Sequence, residues 1–179
     1  CTDVFFNQAK KFMKEQQKKD NPFLVYLCMN APHGPMHSPV KYSLPYKQLN
    51  VNVANFYGMI ANIDDNVGKL RTFLRETGLE EDTILIFTTD NGSSSGAKIF
   101  NDGMRGQKGS EYDGGHRVPF FISWPNGKLG GGHDVKKITS YVDVVPTLID
   151  MCGVPAPKGV KFDGTSIKSL LYGTAKSWP

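Results

Sequence analysis

Thr83-Ile-Leu-Ile-Phe-Thr-Thr-Asp-Asn-Gly92 is the stretch on which the reading of this chain turns. Five of the six residues before Asp90 are β-branched or aromatic, side chains that pack well on a pleated surface. Gly92 then turns the chain. A strand is expected over residues 83–89, with a carboxylate and an amide oxygen side by side at its C-terminal end. In open α/β sheets that edge is where ligands bind. Hard cations are held by such oxygens, so Asp90 and Asn91 are candidate metal ligands. The competing reading is an ordinary Asx turn after a strand.

Outward from this strand, helical and extended patterns alternate. Upstream, Val53, Phe56, Ile60, Ile63, Val67, Leu70 and Leu74 recur at steps of three and four, the spacing of one apolar helix face. A helix is expected from about Val53 to Glu76, with Gly78 as its C-cap. Residues 23–29 form a continuous apolar run, expected to be a strand covered on both faces. Residues 3–19 read as an amphipathic helix with Val4, Phe5, Ala9, Phe12 and Met13 on one side, broken by Asn21-Pro22. Downstream, residues 118–124 read as a further buried strand with Pro119 at its start, and residues 138–142 as a weaker one. Val144 to Met151 reads as a short helix with Pro146 in its first turn. Residues 162–171 read as a turn and a capped short helix. Alternating strands and helices imply an α/β fold with a mainly parallel sheet flanked by helices.

The bulk composition sets limits. A chain of 179 residues with 39% hydrophobic and 21% charged residues is sized for one globular domain with a real core. The net charge of +4 is too small to argue for nucleic acid. The lysines at 10, 11, 14, 18 and 19 read as the solvated face of the first helix. No apolar run approaches the ~20 residues of a membrane helix, so no membrane partner is expected. Residues 1–20 carry no signal-peptide pattern. Cys1, Cys28 and Cys152 are widely spaced and make neither a zinc pattern nor a disulfide framework. Cys28 and Cys152 are expected to be core thiols.

Three loops carry the unusual residues. Residues 30–45 hold prolines at 32, 35, 39 and 45, which rule out a regular helix or central strand. That stiff loop would fix His33 near a strand end, where it could donate to an anion or protonate a leaving group. His37, four residues on, has no assigned role, because the prolines forbid the helical zinc pattern. The second loop is the Asp90-Asn91-Gly92 turn. The third runs over residues 101–119, with five glycines between 101 and 115 and the cations Arg105, Lys108 and Arg117. It lacks the spacing of a phosphate-binding P-loop. A flexible basic surface loop is one reading and an anion clamp the sharper one. Together, a cation site, a His and a Lys suit a single oxyanion ester, with the metal and Lys108 neutralising developing charge.

The motifs resemble those of type I sulfatases, in the alkaline phosphatase superfamily. The resemblance is carried by Ala31-Pro32-His33-Gly34-Pro35, by the helix segment from Tyr57 to Gly68, and by Thr89 to Gly92. The glycine-rich run from Gly106 to Pro119, Trp124-Pro125, the run from Asp143 to Asp150, and Phe162-Asp-Gly164 continue it in family order. It implies an alkaline phosphatase-like fold, incomplete here, with residues 1–179 forming the C-terminal part of a sulfatase catalytic domain. It implies Ca2+ held by Asp90 and Asn91, and sulfate contacts from His33 and Lys108, either of them a candidate acid for the leaving oxygen. Asp64 and Asp65 would be structural charges, and His116 would be a candidate substrate contact. The family's formylglycine nucleophile comes from a Cys or Ser in a specific motif that no cysteine here matches. The nucleophile, the remaining calcium aspartates, and a further Lys and His would lie upstream. The partner so implied is the N-terminal half of the same domain, and this chain alone would be inactive. The intact enzyme would attack sulfur in line, giving a covalent sulfate ester and releasing the alcohol. The substrate would be a sulfated small molecule or glycan, and the location periplasmic, lysosomal or secreted. A phosphate or phosphonate ester hydrolase of the same superfamily, and a non-catalytic anion- or glycan-binding module, remain open at this point.

Overall fold

The apolar spacing from residue 53 onward is realised as one long helix, α3 (Val51–Glu76). Asn50 caps it, its side-chain oxygen accepting from the Asn52 N–H at 3.0 Å, which satisfies one of the free donors of the first turn. At the other end Gly78 takes φ 73°, and the Leu79 N–H donates to the Leu74 carbonyl at 2.8 Å. The left-handed glycine closure expected there is thus present. Helix α1 (Thr2–Lys18) packs on α3 through Phe6, Ala9 and Met13 against Leu70 and Leu74.

The buried face of α1 differs from the one expected. Val4 is 57% and Phe12 41% exposed, whereas Phe6 is 2% exposed. Counting from Phe6, Ala9 and Met13 follow at +3 and +7, one true helical stripe. Val4 and Phe12 lie off it.

The computed structural model describes residues 1–129 and 131–178, which divide into two units, Cys1–Trp124 and Pro125–Pro179. In the first unit, residues 23–29 run extended without ladder bonds among the described residues. Phe23, Val25, Leu27 and Met29 pack against the α1–α3 core, while Leu24 is 81% and Tyr26 88% exposed. The segment has the two-residue alternation of a strand, but one face only is covered within the described residues. Cys28 falls on the other face and is exposed, as is Cys152 at the end of its helix. The expectation of core thiols is corrected on that ground.

The strands expected at 83–89 and 118–124 shorten to β1 (Leu85–Thr88) and β2 (Phe120–Ser123). They pair antiparallel, from Leu85 opposite Ser123 to Thr88 opposite Phe120. Pro119 sits just before β2, where its missing N–H costs no ladder bond. Among the described residues this is the one sheet, so the mainly parallel sheet expected is not formed within them. The link from β1 to β2 carries loops and a single helical turn rather than a crossover helix of the kind parallel pairing needs. The proline-rich stretch is helix-free only as far as Pro39. A short helix α2 (Val40–Ser43) lying against α3 and a 3-10 turn, Leu44–Tyr46, both begin inside residues 30–45. Pro39 is the N-cap and Pro45 sits in a first turn, where a missing N–H costs no helical bond.

The second unit is built around Asp143, which is 8% exposed. Its carboxylate accepts from the Ser140 N–H and, 22 residues on, from the Thr165 N–H, each at 2.8 Å. Thr147 donates to the Asp143 carbonyl at 2.6 Å and accepts from the Ile167 N–H at 2.9 Å. The Asp143-Val-Val-Pro-Thr and Phe162-Asp-Gly motifs are therefore two halves of one buried polar knot. A Cβ on Gly164 would overlap the Val142 carbonyl. Residues 138–142 form no strand: Ile138 is 92% exposed, and the Ser140–Asp143 capping box starts a 3-10 turn, Tyr141–Asp143. That turn runs straight into α5 (Val144–Cys152), and the unit ends with a short helix, Lys168–Leu171. No helix of the described residues is long and apolar enough to cross a membrane.

Candidate active site

Two of the three unusual loops are joined by backbone hydrogen bonds. The Gly92 N–H donates to the Gly115 carbonyl at 2.9 Å, and the Lys108 N–H donates to the Ser93 carbonyl at 3.1 Å. A Cβ at Gly92 would overlap the Gly114 carbonyl, so only glycine lets the Asp90 turn lie this close to the glycine-rich loop. The loops that carry Asp90, Asn91 and Lys108, separated along the chain, are thereby joined through their backbones.

The glycine-rich loop is ordered by its own polar groups. Asn101 donates through Nδ2 to the carbonyls of Met104 and Gly106, both at 2.8 Å. The Gly114 N–H donates to the Arg105 carbonyl at 2.8 Å. Ser110 Oγ accepts from the Gln107 N–H at 3.1 Å. Gly106, at φ 80°, has no room for a Cβ beside Ser110 and Tyr112. The loop closes in one helical turn, α4 (Asp113–His116). Such closure removes the freedom of a surface loop and holds the Lys108 backbone in place, while its side chain stays exposed.

Helix α3 is the frame on which the other loops rest. Three consecutive residues make the contacts. Phe56 lies where a Cβ on Gly96 would come within 2.6 Å of its ring. Tyr57 donates its hydroxyl to the Gly96 carbonyl at 3.3 Å. Gly58 faces Ser38 and Ser43, with 2.9 Å from its would-be Cβ to the Ser43 nitrogen. The exit of the proline loop and the turn after Asp90 thus both touch one turn of α3. Burial, and then the neighbouring Tyr46, push the Tyr57 hydroxyl pKa up, which keeps it a neutral donor. About two turns further, Asp65 accepts from Tyr42 and pairs with Lys69 at 2.7 Å. Those two bonds, Lys69 first, hold its carboxyl below the ordinary aspartate value. Asp65 thereby ties α3 to Tyr42 and to its own next turn.

His33 remains on its own loop. Its N–H donates to the Asn30 carbonyl at 2.9 Å, and its ring Nδ1 lies 3.0 Å from the Gly34 carbonyl. Among the described residues no polar contact links it to Asp90 or Lys108. His37 and His116 are exposed.

Asp90 and Asn91 offer two hard oxygens of the kind Ca2+ takes. Among the described residues nothing hydrogen-bonds the Asp90 carboxylate, and no group of three or more His, Cys, Asp or Glu side chains converges. The donor chemistry fits calcium as part of a set: the ion takes about six to eight oxygens, and the rest would have to come from elsewhere.

Sequence reasoning placed Phe56 on an apolar helix face and Gly58 and Gly114 inside motifs, but missed that these three, with Asn101, position the loops. Gly58 carried a signal, since an isolated glycine inside a helical pattern costs about 1 kcal/mol relative to alanine and so implies a close approach.

Comparison with known proteins identifies the family. The Sulfatase family model matches residues 1–154. Human arylsulfatase A is 32% identical over 94% of this chain and 32% of its own length. The crystal structure of Ps i-CgsB in complex with k-i-k-neocarrahexaose superposes with a TM-score of 0.88 at 28% identity, covering 97% of this chain and 38% of that one. The phosphonate monoester hydrolase of Agrobacterium radiobacter superposes with a TM-score of 0.57 at 34% identity over 72% of this chain and 24% of that one. The chain spans about a third of the length of the curated relatives it matches. With its glycine-rich loop docked on the Asp90 turn and the family model matched over most of its residues, the chain belongs to the sulfatase family.

Proposed function

We propose that residues 1–179 are the C-terminal part of a sulfatase catalytic domain, and that the intact protein hydrolyses sulfate monoesters with a formylglycine nucleophile lying outside this chain. The observation that carries the reading is the pair of backbone bonds joining the Lys108 loop to the Asp90 turn, in a chain of the sulfatase family. Lys108 would bring its ammonium to the sulfate oxygens, neutralising charge that grows in the transition state. Asp90 and Asn91 would hold Ca2+ together with upstream aspartates. The bound ion would supply further positive charge for the sulfate group. His33 would donate to a sulfate oxygen or protonate the departing alcohol, with Lys108 the other candidate acid.

The same reading assigns a partner to the open face of residues 23–29. Leu24, 81% exposed, and Cys28 further along the same face would be covered by the N-terminal half of the domain, which would also complete the mainly parallel sheet. The substrate would be a sulfated glycan or small molecule, in keeping with the oligosaccharide bound by the solved neighbour. The location would be periplasmic, lysosomal or secreted, and this chain alone would be inactive.

A phosphonate or phosphate ester hydrolase is the second reading, favoured by the 34% identity to the phosphonate monoester hydrolase. The higher TM-score to the sulfatase neighbour weighs against it. Turnover of paired sulfate and phosphonate esters by the full-length protein separates the two. Within the sulfatase reading, Lys108→Ala is expected to lower kcat by about 10²- to 10³-fold, the usual cost of losing one transition-state charge donor. Near-normal turnover by that variant would sink the assignment of Lys108.

A further inference from the structure

The turn after Asp90 runs through three consecutive serines, Gly92-Ser93-Ser94-Ser95-Gly96. It contains neither helix nor strand, and glycines at both ends leave its backbone free to move. Ser93 makes two hydrogen bonds within it. The side-chain Oγ accepts from the Gly96 N–H at 3.1 Å. The carbonyl accepts from the Lys108 N–H at 3.1 Å. A serine hydroxyl that takes a nearby backbone N–H supplies the closure that a loop otherwise lacks.

One end of this bridge is seated on α3. Gly96 is buried, and a Cβ there would come within 2.6 Å of the Phe56 ring. Its carbonyl accepts from the Tyr57 hydroxyl at 3.3 Å and from the Ile99 and Phe100 N–H groups at 2.9 and 3.0 Å. The other end is the Lys108 backbone. The route from the helix to the lysine therefore runs from Gly96 to the Ser93 hydroxyl, and from the Ser93 carbonyl to the Lys108 N–H. The Gly92 bond to Gly115 ties the same two loops nearer Asp90, whereas the Ser93 bond acts at Lys108 itself. All of these residues lie within Cys1–Trp124. Misplacing a catalytic group by about 1 Å can cost about 10²-fold in rate, so the restraint on this carbonyl bears on chemistry.

We infer that Ser93 is a positioning residue for Lys108: its hydroxyl fixes the carbonyl that holds the Lys108 N–H, and so sets where the lysine stands relative to the sulfate group. The inference deepens the sulfatase reading and rests on it for the role of Lys108. Ser93 itself touches no reacting atom. Its neighbour Ser94 is exposed and takes no part in the bridge.

The test uses the full-length protein. Ser93→Ala is compared with Ser93→Thr, which keeps the accepting oxygen, and with Ser94→Ala. Gly96→Ala, which drives a Cβ against Phe56, unseats the same turn by an independent route. Turnover of a small aryl sulfate is measured for each variant, alone and combined with Lys108→Ala. Hydrogen exchange is followed by mass spectrometry on the peptide that carries the Lys108 amide. Ser93→Ala is expected to lower kcat/KM by about three- to tenfold, the usual net worth of one hydrogen bond, and to speed exchange at Lys108. Gly96→Ala should reproduce both effects, while Ser93→Thr and Ser94→Ala stay near the unaltered protein. Added to Lys108→Ala, the Ser93→Ala change should alter the rate by less than about twofold, the non-additivity of a residue that acts through another. Unchanged rate and exchange in Ser93→Ala overturns the inference. So does an equal loss with and without Lys108, which marks a general structural effect. Failure of the sulfatase reading shows separately, as no sulfate release from any ester by the unaltered protein.

Discussion

At the scale of single residues, the decisive positions are those where a side chain has no room. Gly92 lets the Asp90 turn meet the glycine-rich loop, and a Cβ there would overlap the Gly114 carbonyl. Overpacking of this kind costs about 1–3 kcal/mol, so Gly92→Ala is expected to lower the denaturation midpoint of the full-length protein. It should also cut catalytic rate more than a surface substitution such as Lys47→Ala, because the two loops would be pushed apart. A variant with unchanged stability and rate would show that the close approach is not required. Asp90, Asn91, Lys108 and His33 were legible in the sequence because charged and amide groups beside glycine and proline stand out from a globular background. Gly58, Gly114 and Asn101 were harder to read, since their importance depends on which distant backbone passes against them.

At the scale of elements, the pairing of α1 with α3 rests on an apolar stripe and one polar knot. Asp3 accepts from the side-chain amides of Asn62 and Asn66, at 3.0 and 2.6 Å, and both asparagines are buried. Asp3→Ala leaves those amide donors short of an acceptor, at a cost of about 1–3 kcal/mol for a buried unsatisfied group, measurable by urea unfolding. The same bonds, Asn66 first, hold the Asp3 carboxyl below the ordinary aspartate value. A depressed carboxyl contributes stability that is fully present above the unfolded-state pKa and is lost as pH falls through the folded-state value. Unfolding measured downward from the ordinary aspartate range should therefore show an acid-limb loss that Asp3→Asn removes. An identical acid limb in both proteins would contradict the role of Asp3. The sequence located both helices to within two residues and placed Ala9 and Met13 on the buried side of α1, but put Val4 and Phe12 there and left out Phe6. Several apolar residues on a short helix fit more than one stripe, and only contact with Leu70 and Leu74 selects Phe6, Ala9 and Met13.

At the scale of the whole molecule, the proposed metal site is the most exposed part of the reading. Removing even an outer hydrogen-bond partner of a metal ligand costs about 10- to 100-fold in affinity, so Asp90→Ala is expected to weaken calcium binding to the full-length protein by at least that factor. Calorimetry with Ca2+ reads this directly, and chelation should abolish sulfate release until calcium is restored. Unchanged affinity in Asp90→Ala would place the metal elsewhere. The sequence by itself determined α1, α3 and α5, the positions of β1 and β2, and the family signature, because each is written in local periodicity, proline and glycine placement, and short-range motif spacing. The short helical turns at Val40–Ser43 and Asp113–His116, by contrast, fell in stretches that read as loops. Tertiary structure alone decided that β1 and β2 pair antiparallel, that residues 23–29 present one open apolar face within the described residues, and that the Asp90 turn and Lys108 loop are joined by backbone hydrogen bonds. Those outcomes depend on contacts between segments far apart in the chain, where backbone donors, glycine gaps and buried faces must fit together, and no local pattern encodes that fit.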